Sequence, residues 1–356
     1  MILDVVKIFV PTTLSFFLGI GISTILNHYL YKYKVWKKQP GKKTFSGEDT
    51  PIFNELHRTR EVGVPKMGGI LIWASPLVTL FLLLLIGWLF PEEGTRKLLF
   101  LSRDQTWIPF ATLIIGGLIG LIDDYLEVRG SGDHIGGGLS LKKRLMIVSC
   151  LSLLIAFWFY VKLETHAIGV PFVGAIDIGW FFIPLFLLVT LGIYAGGVID
   201  GIDGLAGGIF AAIFAAYAGI AFFQQQINLA AFCLTVVGAI LAFLWFNIPP
   251  ARFYMSETGS MALTLTLAVV AFLTDSVDGG HGVFVLPIIA LPLVLTVLSD
   301  IMQVVSKKFR GKKIFLVAPL HHHFEALGWP PYKVTMRYWV IGVIFAVMGM
   351  IVGIIG

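Results

Sequence analysis

Residues 196–208 read GGVIDGIDGLAGG and lie between two long apolar runs. The stretch holds two carboxylates, Asp200 and Asp203, among six glycines. If it is helical, a three-residue spacing puts both acids on one face. If it is a loop, the glycines let the backbone turn tightly and approach a ligand closely. Either way two acids stand at the edge of hydrocarbon, where a charge costs roughly 2.5–3.5 kcal/mol even on the mildest scale. A glycine-rich turn whose acids face water is the plain reading. Three further polar clusters on the same membrane side favour a site.

The surrounding composition decides the class. Of 356 residues, 57% are hydrophobic and 13% charged, against about 25% charged in soluble domains. The sequence therefore describes an all-α integral membrane protein, a single polytopic domain over residues 1–356 with no separate soluble domain. Its net charge of +5 is modest and points to no nucleic acid partner. Cys150 and Cys233 fall in separate apolar runs and read as small buried hydrophobes, without metal or disulfide spacing. The first apolar run has no small-residue cleavage site and reads as a retained helix.

Runs of about 20 apolar residues, enough to span a bilayer, occur near 6–30, 67–90, 107–126, 145–162, 179–196, 205–223, 228–247, 257–275, 282–306 and 336–355. This predicts ten transmembrane helices. Of the 26 Lys and Arg residues, 21 fall in the loops that follow odd-numbered spans. Basic residues favour the cytoplasmic side, so those loops are expected in the cytoplasm and both termini outside. The lysines from Lys32 to Lys43 read as an anchor on anionic lipid. The sequence PKMGG, which follows at 65–69, offers glycines for close helix packing.

The other clusters fall at cytoplasmic span ends. The third span closes with Asp123 and Asp124, adjacent acids that project in different directions, one expected toward the bundle and one toward the cytoplasm. Their place at a helix C-terminus is unfavourable for the macrodipole, which favours a functional role. Lys142, in GGGLSLKKR, is a candidate phosphate contact. Glu257 opens the eighth span, where helix capping is the alternative. His321, His322 and His323, in APLHHHFE, suit a phosphate or uridine better than a three-ligand metal site, because neighbours on a helix point 100° apart. Five carboxylates and several basic groups on one face suit Mg²⁺ with phosphate and hence phosphoryl transfer.

The ordered set MGG, IDDY, DGIDGLA, WFN, GS after Glu257 and APLHHHFE resembles the polyprenyl-phosphate N-acetylhexosamine-1-phosphate transferases over nearly the whole chain. The histidine ending resembles the branch that uses UDP-MurNAc-pentapeptide as donor and undecaprenyl phosphate as acceptor, with Mg²⁺ as cofactor. The resemblance implies an active site on the cytoplasmic face, in the lipid bilayer of the bacterial plasma membrane. It matches Asp123 and Asp124 to acids that handle the lipid phosphate, Asp200 to a central catalytic acid, and Asp203 with Glu257 to metal ligands. Lys142, Asn247, Gln303, His321, His322 and His323 match substrate-binding positions. A homodimer stays open. Two departures stand out: Gly197 replaces the family's asparagine, and Glu257 its aspartate. A UDP-GlcNAc transferase and a catalytically silent homologue that binds lipid phosphate remain alternatives. A transporter would carry its ionisable groups near the midplane, and these lie at span ends.

Overall fold

A computed structural model describes residues 2–36, 63–102, 106–131, 137–276 and 280–356. The lysines Lys37, Lys38, Lys42 and Lys43 lie outside the described residues. The apolar runs become helices α1 (Ile2–Lys32), α2 (Ile70–Leu89), a short α3 (Glu93–Lys97), α4 (Trp107–Arg129) and α5 (Leu141–Lys162). They continue as α6 (Phe182–Gly196), α7 (Leu205–Phe223), α8 (Ile227–Asn247) and α9 (Ser256–Asp275). The last are α10 (Gly282–Ile289), α11 (Leu291–Arg310), α12 (Leu320–Ala326) and α13 (Pro331–Ile355). Among the described residues nine helices are long and apolar enough to cross a membrane, and a bent pair makes up to ten. The chain is a multi-pass membrane protein.

The bent pair is a departure from the sequence reading. The expected ninth span is broken between α10 and α11, whose axes differ by 72°. Ala290 joins them, and Pro292 stands in the first turn of α11, where its missing N–H costs the helix nothing. A second departure lies between α5 and α6. There β1 (Ala167–Val170) pairs antiparallel with β2 (Gly174–Asp177), Ala167 opposite Asp177 and Val170 opposite Gly174. The hairpin tip is tied to the chain's end, Phe172 N donating to the Gly356 carbonyl at 2.9 Å. Gly169 N donates to Asp275 at 3.2 Å, so the hairpin covers the far end of α9. Cys233 is buried as expected, but Cys150 is exposed on its helix, because that face of α5 has no helix packed on it.

Helix α9 forms the axis of the bundle, with every residue from Thr258 to Asp275 buried. In lipid, close backbone approach rather than water exclusion draws helices together. Gly116 and Gly120 on α4 supply that approach: a methyl on Gly120 would overlap the Glu257 carbonyl, and one on Gly116 would press on Met261 and Ala262. The buried hydroxyls of Thr264 and Thr266 return to carbonyls of their own helix at 2.7 Å, which satisfies them where no water reaches. The result brings the N-terminus of α9, with Glu257, against the C-terminal ends of α4 and α6.

Candidate active site

The central stretch is a turn. Helix α6 stops at Gly196, a 3₁₀ turn covers 197–199, and α7 begins after Gly204. Gly204 takes φ +75°, a left-handed conformation that glycine adopts without penalty. Asp200 Oδ2 accepts from the Ser256 amide at 2.8 Å, and Asp203 Oδ2 from the Ala251 amide at 3.1 Å. The turn is thereby stitched to the segment that leads into α9. Asn247 reinforces the seam, accepting from Gly204 N at 3.0 Å and donating to the Phe253 carbonyl at 2.8 Å.

Asp123 and Asp124 form a second group, and both are buried with 0% exposure. The expectation that one faces outward does not hold, because the loop before α5 folds back over α4. Asp123 Oδ1 accepts from Leu139 N at 2.6 Å, and its Oδ2 lies 3.6 Å from Arg144 Nε. Arg144 also donates to Glu257 Oε1 at 2.5 Å, linking three helices through one guanidinium. Asp124 turns the other way, to the N-terminus of α9, where its Oδ2 accepts from the Thr258 amide at 2.9 Å and its hydroxyl at 2.6 Å. A carboxylate there is favoured by the α9 macrodipole. Lys66 Nζ lies 3.8 Å from Asp124 Oδ1 and 2.5 Å from Glu127. Burial works against the Lys66 charge, but Glu127 and Asp124 outweigh it and hold its ammonium above the ordinary lysine value.

The histidines sit on the seven-residue helix α12, with His321 and His322 buried. A methyl on Gly201 would lie 2.5 Å from His321 Nε2 and 2.7 Å from His322 Nε2. The histidine motif therefore meets the central turn, over more than a hundred residues of sequence. His322 Nδ1 is 2.7 Å from Glu325, a pairing that directs the proton of the imidazole to that nitrogen. His323 Nδ1 accepts from Leu316 N at 3.2 Å. The Gln303 amide is engaged with backbone, accepting from Ile314 and Phe315 N at 3.0 Å and donating to the Phe315 carbonyl at 2.9 Å. Lys142 is exposed in the first turn of α5; the basic groups set against the acids are Arg144 and Lys66.

Residue-by-residue reading missed Lys66, Glu127, Arg144 and Glu325. Glu127 was reachable, since it follows Asp123 by four positions and Asp124 by three on one helix face. Lys66 was not, because its contacts cross from a loop to a helix some sixty residues away in sequence.

Glycosyl transferase family 4 matches residues 106–275, which run from the start of α4 to the end of α9. A phospho-N-acetylmuramoyl-pentapeptide-transferase of Geobacillus sp. (strain WCH70) is 35% identical over 82% of this chain and 84% of its own. Its counterpart in Bacillus anthracis (strain A0248) is 33% identical over 97% of both chains. The chain belongs to the phospho-N-acetylmuramoyl-pentapeptide-transferase family. A family member from Listeria welshimeri is 32% identical over 84% of this chain. The family region encloses Asp123, Asp124, Asp200, Asp203 and Glu257, while Lys66 and the histidines flank it on either side.

Proposed function

We propose that this chain transfers phospho-MurNAc-pentapeptide from UDP-MurNAc-pentapeptide to undecaprenyl phosphate, yielding lipid I and UMP for peptidoglycan synthesis. The reaction takes place on the cytoplasmic face of the bacterial plasma membrane, and both chain termini lie outside. The observation that carries this reading is the likeness to transferases of that name over 97% of the chain. The basic loops support the orientation. The same reading admits a homodimer.

Mg²⁺ would be held by Asp203 and Glu257, with Asp200 beside them. The donor set fits: Asp200 ties the central turn to Ser256, next to Glu257, and hard carboxylate oxygens suit an ion that needs one or two of them. Among the described residues no three His, Cys, Asp or Glu side chains form a group that could hold a metal ion, so an ion here would rest on at most two of these carboxylates, with water and phosphate as its other ligands. The chemistry it supplies when bound is neutralisation of pyrophosphate charge.

The remaining work belongs to the chain. Asp123 Oδ2 and Asp124 Oδ1 are buried and accept no hydrogen bond, so they are the oxygens available to take a proton from the acceptor phosphate. Arg144 supplies positive charge beside Asp123 and Glu257. His322, held by Glu325, presents Nε2 toward the central turn, where it can contact the nucleotide with His321 and His323. Asn247 and Gln303 serve substrate by fixing the backbone that approaches it, and Lys142 meets phosphate from the rim. Purified protein supplied with radiolabelled UDP-MurNAc-pentapeptide, undecaprenyl phosphate and Mg²⁺ should release UMP and a labelled lipid in equal amounts. Faster turnover of UDP-GlcNAc, or UMP without lipid product, would overturn the reading.

A further inference from the structure

Helix α11 is apolar outside and polar inside. Leu298, Ile301 and Val305 are exposed on it, as suits a helix set against lipid tails, while Thr296, Ser299, Gln303 and Ser306 are buried. Steps of three and four residues set that polar stripe on one face. Away from water its hydroxyls and amide need protein partners, and the segment that leads to the histidines supplies them.

Ser306 Oγ donates to the Lys312 carbonyl at 2.9 Å, and Gln303 holds the backbone of Ile314 and Phe315. Ser299 reaches furthest along the chain. Its Oγ accepts from Leu320 N at 2.9 Å and donates to the Thr296 carbonyl at 2.6 Å. Leu320 opens α12, one residue before His321. The first amides of a helix find no carbonyl within it, and Pro319, which precedes Leu320, makes no side-chain bond to them. Ser299 fills that gap from another helix, and at 3% exposure it does so largely shut off from water. The placing of α12 matters because its His321 and His322 rings lie against Gly201 in the central turn.

We propose that Ser299 is a positioning residue for the donor site: its hydroxyl, oriented by the Thr296 carbonyl, sets the start of α12 and through it the His321 and His322 rings beside the central turn. This rests on the transferase reading, in which those rings contact the nucleotide. Loss of the hydroxyl leaves the Leu320 amide without its acceptor, and the first turn of α12 shifts to recover one. The histidines move with that turn, while the acids on α4 and α9 do not.

Two measurements on the purified full chain in detergent test this. One is hydrogen exchange across residues 316–323 by mass spectrometry, and the other is calorimetry of UDP-MurNAc-pentapeptide binding with no acceptor present. Ser299→Ala should speed exchange at Leu320 and weaken donor binding about 3- to 10-fold, the range for one hydrogen bond, with the KM for undecaprenyl phosphate unchanged. Ser299→Thr, which keeps a hydroxyl, should recover both. Added to His322→Ala, Ser299→Ala should weaken donor binding no further than His322→Ala alone, because residues acting through one another do not add. Should the alanine variant fail to fold, Ser299→Cys, whose sulfur is a weak acceptor, carries the same expectations. Unchanged exchange or unchanged donor affinity in a folded variant would overturn the proposal, and so would losses that multiply in the double variant. A wild type that binds no donor would defeat the transferase reading alone; exchange at Leu320 would still uphold or overturn the part played by Ser299.

Discussion

Arg144 lies 2.5 Å from Glu257 and 3.6 Å from Asp123, so the length of the Glu257 side chain matters twice. It reaches the guanidinium with one oxygen and leaves the other near Ser260, 3.4 Å away. Aspartate at this position would fall short of Arg144 by about the length of one carbon–carbon bond, ~1.5 Å. Glu257→Asp is therefore expected to lower turnover even though the family resemblance implies aspartate there, and Glu257→Gln to lower it by about 10²–10³ by removing charge. Steady-state rates across a Mg²⁺ series check both, and wild-type rates for Glu257→Asp would show that the Arg144 contact is dispensable. A second expectation concerns Glu325. Glu325→Gln weakens a charge-assisted bond to His322, a class worth about 1.5–3 kcal/mol, so the KM for the nucleotide donor should rise while the acceptor KM stays put. The acids themselves were legible in the sequence because apolar runs isolate them at span ends. Their partners were not, since Lys66 and Arg144 acquire meaning only when loops fold back onto α4 and α9.

Helix α9 owes its central place to small residues on its neighbour. Gly120→Ala should place a methyl against the Glu257 carbonyl, an overpacking that typically costs about 1–3 kcal/mol. The displaced backbone carries Glu257 and Thr258, so turnover should fall together with thermal stability. Gly87→Ala, whose added methyl meets nothing within 4 Å, is the control and should leave both unchanged in unfolding and rate measurements. Equal behaviour of the two variants would remove the packing argument. Helix boundaries were readable because hydrocarbon demands long apolar runs, and α7 at Leu205–Phe223 coincides with its expected span. The hairpin escaped notice because its four-residue strands, AIGV and GAID, are too short to show an alternating pattern and, apart from Asp177, are as apolar as the spans beside them. The break at Ala290 escaped because no charge stands near it, leaving Pro287 and Pro292 as the local signs.

At the scale of the whole molecule, the acid-bearing turns, α12 and the start of α13 are joined at one end, with Thr335 donating to the Asp203 carbonyl at 3.1 Å. The hairpin and Gly356 close the other end. In a background with Cys150 replaced by serine, a cysteine at Lys312 should react with impermeant reagent only from the cytoplasm, and one at Gly94 only from outside. Labelling of both from one side would defeat the proposed orientation. The bend between α10 and α11 has a separate consequence. Twenty residues of α11 at 1.5 Å each make a rod about 30 Å long. Inclined 72° to α10, the rod advances only ~9 Å along α10 and extends ~28 Å sideways. With α10 packed along α13, such a lateral arm is expected to displace more lipid from one leaflet than from the other. A curved bilayer should then sort the protein's insertion. Reconstitution into vesicles of graded diameter should give a biased orientation in the smallest and an even one in the largest, and an even split at every diameter would show that the arm displaces both leaflets alike.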